Sequence, residues 1–90
     1  MAKAEISWKR MTAEGVRRHV YAQHVGGEWL FYARERRYDQ WQAVAEPALE
    51  DWLALLDAVR RRINRRLLRP EEEARVKKSI RQRFPHAKLE

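Results

Sequence analysis

At 90 residues and 10.9 kDa the chain is long enough for one hydrophobic core and too short for two, so it is read as a single domain over residues 1–90. Hydrophobic residues make up 44%, with four Trp, three Tyr and two Phe, which excludes a disordered chain. The absence of cysteine excludes disulfide staples, thiolate metal sites and cysteine nucleophiles.

The net charge of +7 is unevenly placed. Residues 1–59 carry eight basic and nine acidic side chains, a net −1, whereas residues 60–90 carry twelve and four, a net +8. The excess is densest from Arg60 to Arg69, and such a field attracts polyanions or acidic partners. No apolar run approaches the roughly 18 to 20 residues that span a bilayer, and the N-terminus lacks a short apolar leader. A cytoplasmic protein without a membrane role is expected.

Glu5 to Met11, Val16 to Val25 and Glu28 to Arg36 alternate in character and are rich in Val, Tyr, Trp and Phe, which predicts three antiparallel strands within a sheet of about residues 4–37. Gly26-Gly27 supplies a two-residue turn, since primed turns need positive φ. That turn sets His24 opposite Trp29, Ala22 opposite Phe31, Val20 opposite Ala33 and Arg18 opposite Glu35. On the other face it sets Gln23 opposite Leu30, Tyr21 opposite Tyr32, His19 opposite Arg34 and Arg17 opposite Arg36.

In the first hairpin, a three-residue loop of Ala13, Glu14 and left-handed Gly15 places Ile6 opposite Ala22 and Trp8 opposite Val20. A four-residue loop would turn both side chains to the polar face and forfeit roughly 1.5 to 3 kcal/mol of burial for each. The shorter loop is therefore expected, with a core face of Ile6, Trp8, Val16, Val20, Ala22, Trp29, Phe31 and Ala33. Residues 38–46 form a linker, in which Trp41 and Val44 pack as a crossing strap or a short fourth strand, with Trp41 a core plug rather than a ligand platform.

Pro47 and the acids around it open a helix over about 47–68, along which Leu49, Trp52, Leu53, Leu56, Val59, Ile63 and Leu67 recur at three- and four-residue steps. Arg61 and Arg65 fall opposite that stripe, and Asp57 pairs with Arg61. Pro70 and Glu71 to Glu73 open a second helix over about 70–84, with Val76, Ile80 and Phe84 as its apolar stripe. Residues 85–90 are a tail, whose Leu89-Glu90 reads as the remnant of an expression tag. The expected fold is α+β, a three-stranded antiparallel meander packed on one face by two C-terminal helices.

Catalysis is not expected. His19 and His24 leave opposite faces of one strand, no triad, metal or paired-carboxylate motif is present, and the Gly-Gly turn lacks the helix of a phosphate loop. No cofactor, metal or small-molecule substrate is implied. The informative surface is the polar sheet face of Lys9, Arg17, His19, Tyr21, Tyr32, Arg34 and Arg36, where rings stand among cations as single-stranded nucleic acid requires. The same residues suit a solvated sheet face or a protein interface. Arg61, Arg65 and Arg69 form a second cationic candidate, for phosphate or an acidic protein, although cations there also complement the helix dipole. A DNA-reading helix-turn-helix is disfavoured because Glu71 to Glu73 would meet the phosphates. Non-specific nucleic-acid contact is the expected function, and an interaction module for an acidic protein is the alternative.

Overall fold

The computed structural model describes residues 5–89; the start of the expected sheet at residue 4 and the final residue of the suspected tag remnant lie outside them. The elements are β1 (Glu5–Met11), β2 (Arg17–Val25), β3 (Glu28–Arg34), β4 (Gln42–Val44), α1 (Leu49–Asn64) and α2 (Glu71–Arg83). This is an α+β chain with an antiparallel sheet in the order β1-β2-β3-β4 and two C-terminal helices. It divides into two compact units at Pro47 and Ala48. The sheet lies in the first and both helices in the second.

Both turns of the sheet adopt the geometry their glycines allow. Gly26 and Gly27 have φ of 57° and 82°, the positive values that a two-residue primed turn requires, and the pairs from Val25↔Glu28 to His19↔Arg34 follow from it. In the first hairpin the Thr12 N–H donates to the Val16 carbonyl at 2.8 Å, and Gly15 stands at φ 80°. The loop is thus three residues long. Ile6 faces Ala22 and Trp8 faces Val20, as burial demanded.

Strand alternation then sorts the side chains. Ile6, Val20, Ala22, Trp29, Phe31 and Ala33 are buried, and Trp8 is half-buried with its ring edge-on to Phe31 at 6.1 Å. Val16 departs from the expectation: it is 39% exposed because it belongs to the loop closure, beyond the last paired residues Met11 and Arg17. The third strand also stops early. Its ladder ends at His19↔Arg34, so the expected Arg18–Glu35 and Arg17–Arg36 pairs do not form. Instead Arg36 donates its N–H to the Asp39 carboxylate at 3.1 Å and accepts the Asp39 N–H at 3.0 Å, which bends the chain away from the sheet.

In the second unit α1 buries Trp52, Leu55, Leu56, Ala58 and Val59, and α2 buries Val76 and Ile80. The buried arc of α1 is rotated relative to the predicted stripe. Leu55 is fully enclosed while Leu53 is 39% exposed, because the buried face is centred near Trp52, Leu55 and Val59 and position 53 falls at its edge. The Arg83 guanidinium lies 5.0 Å from the centre of the Trp52 ring. Arg60 and Lys77 both reach the Glu73 carboxylate, at 3.3 and 3.0 Å, so one acid joins the two helices.

The first helix ends four residues before its predicted limit. The Leu67 N–H donates to the Arg62 carbonyl and the Arg66 N–H to the Ile63 carbonyl, which is the Schellman closure, with Arg66 at φ 60° in the left-handed position usually filled by glycine. Leu67 is consequently 62% exposed and outside the core. Apolar spacing continues past this point, but Pro70 disfavours helix at the residue before it and a closure must precede it.

Two outcomes follow for stability. Since a side chain in the left-handed region costs about 1 kcal/mol relative to glycine, Arg66→Gly should raise the unfolding free energy by roughly 0.5 to 1 kcal/mol in urea titrations. A loss of stability would contradict the closure. The Lys77 hydrogen bond, helped by Arg60, holds the Glu73 carboxyl below its ordinary range against the opposing effect of burial. Its stabilisation is complete above the unfolded value of about 4.3 and vanishes as pH falls through the lower folded value. Glu73→Gln should therefore be less stable than the parent at neutral pH and approach it in acid; a constant gap would show the carboxylate to be uncoupled.

Candidate functional site

The open face of the sheet is organised in cross-strand rows. Glu5, Gln23 and Leu30 form the first, Ser7, Tyr21, Tyr32 and Ala43 the second, and Lys9, His19 and Arg34 the third, with Met11 beside Arg17 beyond them. Adjacent strands are about 4.8 Å apart and same-face residues roughly 6.6 Å apart along a strand. The face therefore carries a gradient. Glu5 hydrogen-bonds Gln23 at 3.3 Å at one end, and the cations gather at the other.

The aromatic row is a packed cluster. Tyr21 and Tyr32 stack with ring centres 4.8 Å apart and planes inclined by 18°, and Trp41 meets Tyr21 edge-on at 4.7 Å. The Arg34 guanidinium covers the Trp41 ring at 4.3 Å. Burial in this cluster, reinforced by the neighbouring Tyr32 hydroxyl and by Glu5, raises the Tyr21 pKa above its ordinary value.

Trp41 corrects the reading of the linker: it stands on the open face, 37% exposed, and is not a plug of the buried face. The fourth strand explains why. It pairs Val44 with Phe31, Ala43 with Tyr32 and Gln42 with Ala33, so alternation gives Val44 and Gln42 the buried side and carries the preceding Trp41 to the side of Tyr32 and Arg34. Composition favours burial for tryptophan, and the register that overrides it depends on where the seven-residue connection rejoins the sheet.

Among the described residues the cationic row has no counterion. Among the described residues no ion pair joins Lys9, Arg17, His19 or Arg34 to a carboxylate, and Arg34 Nε is out of water without an acceptor. Partial burial of the imidazole, together with the positive charges of Lys9, Arg34 and Arg17, lowers the His19 pKa. The neighbouring charges thus disfavour protonation of His19.

Five of the seven sheet-face candidates, Lys9, His19, Tyr21, Tyr32 and Arg34, lie in two adjoining rows. Arg17 lies one step beyond at the strand end. Arg36 leaves the face with the turn at Asp39. The arginine-rich stretch is less coherent than a continuous helix would make it. Arg61 is paired with Asp57 at 3.3 Å, Arg65 caps α1, and Arg69 lies in the connection before α2. The Arg65 N–H still bonds the Arg61 carbonyl at 3.2 Å, so these two arginines stay one helical turn apart, and the closure at Arg66 separates Arg69 from them.

Trp41→Ala removes one aromatic contact and one cation–π contact, which together should cost about 1 to 2 kcal/mol in chemical denaturation. An unchanged midpoint would show the ring to be merely resting on the surface.

No helix among the described residues is long and apolar enough to cross a membrane, and among them no group of three or more His, Cys, Asp or Glu could hold a metal ion. Comparison of the chain with protein-family models, curated proteins and solved structures finds no match.

Proposed function

We propose that the chain is a non-catalytic cytoplasmic binding module whose open sheet face holds single-stranded nucleic acid through charge and stacking, without reading its sequence. The observation that carries this reading is the unneutralised row Lys9, His19 and Arg34 set directly against the Tyr21, Tyr32 and Trp41 rings. Like charges left together without carboxylates cost stability, and a polyanion removes that cost. Rings at the next row accept bases at the spacing a flexible strand can follow. Duplex DNA cannot offer its bases to such a surface without unpairing, so single strands are preferred.

The test is fluorescence anisotropy of labelled single strands and duplexes over a range of salt. The affinity should fall with salt, with a log–log slope of roughly −0.7 for each phosphate that the face neutralises on a single strand. Tyr32→Ala should weaken binding by ~1 to 3 kcal/mol for the lost stack, with a smaller effect for Tyr32→Phe. No binding at low salt, or a slope of zero, overturns the reading and turns attention to an acidic protein partner.

A further inference from the structure

The third row of the sheet is also the wall of an open groove of about 500 Å³, lined by Ser7, Lys9, His19, Arg34 and Trp41 among others. Resting on the reading of a single-strand surface, we infer that this groove is a discrete phosphodiester subsite, in which one backbone phosphate bridges Lys9, His19 and Arg34 and His19 takes up a proton as the phosphate enters.

Four features of the groove support this. Its donors come from three neighbouring strands, so the sheet ladder fixes their spacing before any ligand arrives. The Arg34 guanidinium is held against the Trp41 ring rather than in an ion pair, which restrains its position while leaving its charge unneutralised. Ser7 adds a hydroxyl beside the cations. The groups facing His19 are Lys9 from β1, Arg17 from its own strand, Arg34 from β3 and the Trp41 ring from the connection before β4; the nearest carboxylate in the row pattern, Glu5, stands two rows away and is bonded to Gln23.

That arrangement makes the imidazole responsive to the ligand. In the free protein the surrounding positive charges and partial burial lower the His19 pKa. A phosphate placed among the same groups reverses the local field and donates two acceptor oxygens, so the protonated ring becomes the favoured form. The neutral ring takes its proton from water, and the resulting imidazolium donates to a phosphate oxygen; no covalent bond is made. The sign of the linkage follows. Affinity rises as pH falls through the window between the raised bound value and the lowered free value, by at most about tenfold per pH unit for one proton.

An oligothymidylate without terminal phosphates is the probe, because neither its diesters nor its bases titrate in this range. Calorimetric titration in two buffers of different ionisation heat should show net proton uptake between about pH 5 and 7, absent in His19→Gln. The imidazole resonance of His19 in the parent protein should titrate at higher pH with the oligonucleotide than without it; this needs no variant. Arg34→Gln should reduce both the affinity and the shift. Salt-dependent binding with identical pH dependence in parent and His19→Gln, or a His19 titration that the oligonucleotide leaves in place, overturns the subsite and leaves the strand surface standing. Absence of oligothymidylate binding at low salt overturns both.

Discussion

Positive φ at two adjacent glycines determines the sidedness of the sheet. Gly26 and Gly27 close β2 onto β3 with no side chain to obstruct the turn, and the pairing that results decides which residues of both strands share a face. A shift of one residue would carry Trp29 and Phe31 into water and bring the tyrosines inward. The first hairpin obeys the same rule through Gly15, so β1 presents Ile6 to the buried side and Lys9 to the open one. Burial of apolar surface and exposure of charge are thus two outcomes of a single geometric choice.

On the open side the consequence is electrostatic. Antiparallel pairing places Lys9 and Arg34 on either side of His19, so that a proton on the ring would set like charges directly opposite one another, which weakens a sheet. The fold tolerates the arrangement partly because the Arg34 charge rests on the Trp41 ring, and partly because the neighbouring charges disfavour protonation of His19. The second unit handles its charge differently. Arg60 and Lys77 converge on Glu73, and Arg61 meets Asp57, so part of the helical positive charge is matched.

Period-two alternation and the Gly-Gly turn made the sheet legible in the sequence down to individual pairs, because a two-residue turn leaves no freedom of register. The apolar recurrence likewise located both helices and the Asp57–Arg61 pair. The exposure of Val16, the early end of β3 and the rotated buried arc of α1 were not legible, and neither were two further features. The end of α1 was missed because apolar spacing runs on to Leu67, while the signal that stops the helix is a backbone conformation adopted by an arginine. Trp41 was placed on the wrong side because parity can be read only once a strand is paired, and β4 is three residues long behind a turned connection. The cationic row was visible as pairs, yet its adjacency to Trp41, and with it the groove, depends on that fourth strand.

The order β1-β2-β3-β4 repeats the order of the chain. Every ladder therefore joins segments that are neighbours along the polypeptide, and little loop entropy must be lost before each new pair is rewarded. Hairpins of this kind close in about 1 to 10 μs, whereas a ribosome adds roughly 5 to 20 residues per second. The strand pairing of residues 5–44 thus has no need to wait for synthesis of the helical segment, and assembly of the sheet can keep pace with its own translation.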